Sequence, residues 1–179
     1  RGRIPVPSGR RVVAAHTRAT ILAILEEVKD PEVPVLSVVE LGLVRDVEIV
    51  GDAVTVVVTP TYSGCPAMKV IEDDVLAALR SRGISDAHVR TVYAPAWTTD
   101  WMMDEAREKL RAYGIAPPGH ADTGSAGSFV TITRRRAPVR CPFCGSTNTA
   151  LTSEFSSTAC KALHTCRGCS QPFEEFKAI

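Results

Sequence analysis

The chain has 179 residues, 45% of them hydrophobic, with 21 basic and 20 acidic side chains and a formal net charge of +1. That length suits one ordinary domain plus a small one, and the balanced charge sets up no global field for nucleic acid or an anionic membrane. No apolar run approaches the ~20 residues of a membrane-spanning helix, and the N-terminal RGRIPVPSGRRVVAAH has no continuous apolar signal segment, so a cytoplasmic location is expected.

Residues 1–16 read as a loose N-terminal arm rich in Arg, Pro and Gly. A helix is expected from Thr17 to about Lys29, with Ile21, Ile24, Leu25 and Val28 on one face and Asp30-Pro31 as its stop. The following DPEVPVLSVVELGLV carries two prolines three apart and reads as an ordered loop. Strands at Leu43–Val50 and Ala53–Thr59 flank the turn pair Gly51-Asp52. After TPTYSG, a helix is expected from Pro66 to about Arg82, with Met68, Ile71, Val75 and Leu79 inward and Gly83 closing it. A strand at His88–Tyr93 and a helix at Asp100–Tyr113 complete the run, with Met103, Ala106, Leu110 and Tyr113 as the inner face of that helix. The order α-β-β-α-β-α predicts an α+β, two-layer domain over residues 17–116, followed by a C-terminal zinc ribbon. Residues 117–128 (PPGHADTGSAGS in part) read as a linker and 129–179 as the ribbon.

Five of the six cysteines fall between 141 and 169, which points to metal rather than to a spread-out disulfide scaffold. CPFCG, a gap of 21 residues and CRGCS supply two C-x-x-C knuckles, so Cys141, Cys144, Cys166 and Cys169 are the expected zinc ligands. The alternative for the same pattern is two independent redox dithiols. Four thiolates close the coordination sphere, which makes the zinc structural, and a 39-residue module needs that metal to fold.

Two cysteines remain. Cys65, in TPTYSGCPA, is placed near the start of a helix, where the helix dipole would lower its thiol pKa; the bland reading is an inert thiol filling a corner. Cys160, six residues before Cys166, reads as a spare or substitute ligand, a ligand of a second metal, or a small apolar filler. Asp30 and Glu32 flank Pro31; carboxylates there can bind iron or orient a thiolate, and Asp30 also suits a turn cap. His164 could ligate but fits an exposed or packed strand position better. Trp97 and Trp101 default to core packing. Arg134, Arg135, Arg136 and Arg140 could contact phosphate, yet a solvated strand edge is the commoner explanation.

DPEVPVLSVVELGLVRDVEI and VTPTYSGCPA resemble the small domain of SufT-like iron–sulphur assembly factors. Joined to CPFCG, STACKAL and CRGC, they resemble the PaaD-like family of phenylacetate degradation, from about residue 17 to the end. The resemblance implies an accessory protein of the oxygenase system that epoxidises the ring of phenylacetyl-CoA. Its partners would be the oxygenase or reductase subunits, and its task iron–sulphur or iron-centre maturation. The family's marked cysteine matches Cys65, its DPE motif matches Asp30, Pro31 and Glu32, and its STAC motif matches Cys160. On that resemblance Cys65, Cys160, Asp30 and Glu32 would bind iron or a transient cluster. His164 stands where an aromatic residue is expected.

The sequence also admits three other readings: a ribbon that binds nucleic acid or protein, a structural subunit or effector of the oxygenase, and a thiol enzyme using Cys65 with His88 or His120 as base. No catalytic residue is assigned. Neither a di-iron Glu-x-x-His pair nor a dinucleotide-binding glycine motif occurs. A homodimer is left open.

Overall fold

Thr17 opens the first helix: its hydroxyl accepts the Thr20 N–H, while Thr20 Oγ1 accepts the Thr17 N–H. The computed structural model describes residues 16–119 and 138–179. The expected arm therefore lies outside the described residues except for its last position, as does the linker from residue 120 on. Arg134–Arg136 and His120 also lie outside.

Helix α1 spans Arg18–Leu25 and buries Ile21, Ile24 and Leu25. It ends earlier than expected because the next amides reach only three residues back, Glu27 N to Ile24 O and Val28 N to Leu25 O, a tightened last turn. The proline-rich segment is an ordered loop, as expected, and it feeds Val33, Leu36, Val38, Leu41 and Leu43 into the core. Strands β1 (Val44–Val50) and β2 (Ala53–Val58) form the antiparallel hairpin, with Gly51 at φ +62° in the turn. Helix α2 (Met68–Ser81) crosses over to β3 (Ala87–Thr91), which pairs parallel to β2. Gly83, at φ +84°, follows the helix as expected of a C-terminal cap. Helices α1 and α2 touch each other and share a face of the β1-β2-β3 sheet.

The last helix departs from expectation. A 3₁₀ turn at Thr99–Trp101 is followed by extended Met102 and Met103, so α3 begins only at Asp104 and ends at Tyr113. Its inner face is Ala106 and Leu110; Met103 and Tyr113 are exposed. Trp97 is buried, and its Nε1 donates to Leu41 O at 3.1 Å.

A second sheet, in the order β4-β7-β6-β5, joins the halves. Its strands are β4 (Ile115–Ala116), β5 (Thr149–Ser153), β6 (Lys161–Cys166) and β7 (Pro172–Phe176), with β4 running parallel to β7. The ribbon is thus extended by a strand from the preceding domain. Register shifts mark β1 between Val44 and Asp46 and β5 between Leu151 and Ser153. Phe176 and Cys160 belong to the main hydrophobic core, with the Phe176 ring 6.0 Å from Trp97. A separate small cluster of Ala116, Cys141, Cys166 and Phe173 supports the metal end.

Candidate metal centre and thiol cavity

Each C-x-x-C knuckle turns its backbone toward sulphur. Gly145 takes φ +74° and donates its N–H to Cys141 O, and the Gly168 N–H donates to Cys166 Sγ at 3.3 Å. The four Sγ atoms of Cys141, Cys144, Cys166 and Cys169 all lie within 4.8 Å of one another. Among the described residues they are the one group of three or more such ligands gathered this closely. The Cys169 amide, against burial and helped by the Gly168 amide, pulls the Cys166 thiol down to about 6. Cys144 and Cys169 shift up even though the Ser146 and Gln171 amides point at them, because adjacent sulphurs resist shared negative charge. A cation at the centre relieves that repulsion, and four soft sulphurs at this spacing fit a tetrahedral metal. Arg140 braces the first knuckle through Gly145 O at 2.8 Å.

His164 is not in this group. It is buried, hydrogen-bonded through Nε2 to Glu175 Oε2 at 2.8 Å and stacked on Phe173 at 5.4 Å. Trp101 is half-buried under the Arg45 guanidinium, 3.4 Å from the ring centroid.

The second site lies where the ribbon meets the first domain. One small cavity, about 10 Å³, is lined by Asp30, Glu32, Thr61, Cys65 and Cys160 among apolar neighbours. All four residues singled out beside the zinc ligands are therefore brought together, although Cys160 is 128 positions from Glu32 in the chain. Asp30 sits at the head of the loop, its Oδ1 accepting the Glu32 and Val33 amides at 2.8 Å each. Cys160, at the start of β6, is 3% exposed; its Sγ lies 3.1 Å from Thr158 Oγ1 and 3.8 Å from Glu32 Oε2.

Cys65 corrects one expectation. It stands three residues before α2, whose N-cap is Ala67, and its thiol pKa goes up instead of down. Burial is the main cause; the Ala67 amide opposes it, and the negative charge of Glu32 reinforces it. Burial also pushes Cys160 up to about 11, against the Thr158 hydrogen bond. Asp30 is raised by burial despite its two amide donors, and Glu32 by burial and then by Asp30. Both thiols are thus protonated at neutral pH.

Lys161, Glu174 and Tyr62 were not anticipated. The buried Lys161 ammonium holds Glu174 Oε2 at 2.8 Å and reaches Glu32 O at 3.5 Å. Glu174, though partly buried, is held down to about 2 by Lys161, Ser156 and Ser157. Tyr62 hydrogen-bonds Cys65 and is raised to about 12 by burial and by neighbouring negative charge. Tyr62 and Lys161 sit three residues from Cys65 and one from Cys160, and only that local context hinted at them. Among the described residues no histidine lines the cavity; His88 is exposed and paired with Asp86.

A protein of Escherichia coli K12, provisionally named as one of the subunits of 1,2-phenylacetyl-CoA epoxidase, is 45% identical over 160 residues, covering 89% of this chain and 92% of the relative. Residues 125–177 match the PaaD zinc beta ribbon domain. The chain belongs to the PaaD family. Residues 18–92 of this PaaD-family chain also match the iron-sulfur cluster assembly protein family. The Fe-S protein maturation auxiliary factor YitW of Bacillus subtilis is 39% identical over 95 residues, 52% of this chain and 92% of that protein. A solved domain from Bacillus anthracis, described as a domain of unknown function (DUF59), is 31% identical with a TM-score of 0.50, covering 52% of this chain and 90% of that one. No described helix is long and apolar enough to cross a membrane.

Proposed function

We propose that this chain is an accessory, non-catalytic protein of the cytoplasmic phenylacetyl-CoA ring-epoxidase system, assisting maturation of its iron or iron–sulphur centres. Residues 17–116 form the assembly domain and residues 129–179 the ribbon. Zinc, held by Cys141, Cys144, Cys166 and Cys169, keeps the ribbon rigid and in register. The names of the relatives support both halves of this reading. The observation that carries it is the placement of ribbon Cys160 in one cavity with Cys65, Asp30 and Glu32 of the assembly domain. Two thiols and two carboxylates beside a closed zinc site give soft and hard ligands for iron in transit. A thiol-enzyme reading with His88 as base is not supported, because among the described residues no histidine lines the cavity.

The test is to purify the oxygenase and reductase from cells with and without this protein, then measure iron and sulphide per subunit. The expected result is normal polypeptide levels with depleted metal in at least one component. Equal metal content would overturn the proposal and favour a structural or effector role.

A further inference from the structure

Glu174 is an acid on an inner strand, since β7 lies between β4 and β6. It shares its face of that strand with Phe176, two residues on, which belongs to the main core and packs near Trp97. A carboxylate on that side needs donors from the protein, because burial leaves little water to supply them. One loop and one lysine provide them. Oε1 accepts the Ser156 hydroxyl and, at 3.0 Å, the Ser157 hydroxyl, with the Ser157 amide at 3.5 Å. Oε2 accepts Lys161 Nζ at 2.8 Å. A buried ion pair is weak evidence for stability, since apolar side chains of similar size often serve as well. Selecting one arrangement among several is the role it suits better.

Two paths lead from that carboxylate to the same contact. Residues 154–160 connect β5 to β6 and end on Cys160. Backbone bonds tie this loop at Ser156, whose N–H donates to Lys161 O at 3.0 Å, and at Cys160, whose carbonyl accepts the Lys177 N–H at 2.9 Å. Glu174 adds the side-chain ties between those points, and Thr158, next in the chain, sets its Oγ1 3.1 Å from Cys160 Sγ. The other path runs through Lys161, whose ammonium reaches Glu32 O at 3.5 Å. Cys160 Sγ and Glu32 Oε2 then stand 3.8 Å apart across the domain boundary. Without the Glu174 carboxylate, two hydroxyls and a buried ammonium lose their shared acceptor, and both sides of that contact lose a tie.

We propose that Glu174 is a positioning residue: by gathering Ser156, Ser157 and Lys161 it fixes where the Cys160 thiol stands against Glu32 of the first domain. It acts through the loop and the lysine, and the thiol is the group it places. The purpose of that placement rests on the maturation role proposed above. The placement itself is independent of that role and shows in the chemistry of the thiol.

The experiment follows alkylation of Cys160 by iodoacetamide across neutral to alkaline pH, in the full chain with its ribbon zinc retained, quantified on the peptide that carries Cys160. Labelling of the wild type is slow, since burial holds this thiol protonated. Glu174→Gln should raise the rate at pH 8 about tenfold and move the pH profile toward that of an ordinary thiol, about 8.5. Ser156→Ala with Ser157→Ala should do the same. Added to Glu174→Gln, the serine pair should change the rate by less than about twofold, because both sets break one bracket. Leu79→Ala separates placement from general loosening: it opens the first-domain core on α2, outside the cavity lining, and should leave the Cys160 rate within about twofold of wild type. Retained zinc and an unchanged far-ultraviolet spectrum verify folding; if Glu174→Gln does not fold, the serine pair reads the same prediction. A serine-pair rate within about twofold of wild type, full additivity of the two sets, or an equal rise in Leu79→Ala would overturn the positioning role. Epoxidase components with normal metal content in cells lacking this chain would remove the maturation role and leave the bracket standing.

Discussion

Lys161→Met tests the buried ion pair between β6 and β7 most directly, because methionine keeps much of the apolar stem and removes the charge. Lys161 is 4% exposed and holds Glu174 at 2.8 Å. The Glu174 carboxyl lies at about 2 in the folded protein against an ordinary 4.5. That difference corresponds to about 3 kcal/mol of folding free energy. The side chain of Glu174 is 26% exposed and also bonded to Ser156 and Ser157, so the share lost with Lys161 is about 2 kcal/mol. A folded pKa below the unfolded one stabilises the protein fully above pH 4.5, and this contribution fades as pH falls toward about 2. The assay is a double-mutant cycle of Lys161→Met and Glu174→Gln by urea unfolding at pH 7, 4 and 3. The expected coupling is about 2 kcal/mol at pH 7, a Tm loss of about 4–8 °C for Lys161→Met, and a clear decrease in coupling by pH 3. A coupling below about 0.5 kcal/mol at pH 7, or one unchanged at pH 3, refutes the reasoning.

Cys65 should alkylate slowly with iodoacetamide at pH 7 and faster as pH rises past 9, because its thiol is raised. Glu32→Gln should speed that reaction by removing a negative charge; rapid labelling at pH 7 in the wild type contradicts the burial account. Gly42→Ala should destabilise by about 2 kcal/mol or more, since φ is +73° and a Cβ would meet Trp101 O at 2.6 Å; unchanged denaturant midpoints refute this. Stripping the ribbon metal should increase hydrogen exchange in β6 and β7 and also lower the stability of the first domain, because Cys160 and Phe176 are part of its core. If amide exchange in β1–β3 is untouched by chelation, the shared core contributes nothing.

The zinc pattern was legible because two knuckles and their spacing are local, and periodicity located α1, β1, β2, α2, β3 and α3 to within a few residues but not β4. Cys65, Asp30 and Glu32 were visible as motif residues, but their electrostatics were not. A thiol before a helix reads as acidic only if nothing buries it; here Glu32 and apolar neighbours reverse the sign. Met103 and Tyr113 fit a helical stripe, yet the extended backbone at Met102 and Met103 leaves Met103 outside α3, and both side chains are exposed. The convergence of Cys160 with Cys65 depends on the parallel β4–β7 pairing and on Phe176 reaching Trp97. Such contacts link positions far apart in the chain, and no local pattern encodes them. The same holds for Lys161, which reads as a surface lysine until β6 is docked.

The register shifts in β1 and β5 bear on what else could pair with the two sheets. Among the described residues each lies on a strand paired on one side only, and such an edge is a template for another chain. A bulge breaks the even spacing of donors and acceptors that a foreign strand would need. On β1, Arg18 and Arg90 pair with Asp46 and Glu48, adding charge along the same strand. On the other sheet, β4 already occupies the outer edge of β7, while β5 offers Thr149, Thr152 and Ser153 instead of an apolar row. Neither of these outer strands therefore offers a straight, sticky row among the described residues, and crowded copies of the chain have little means of zipping together through them.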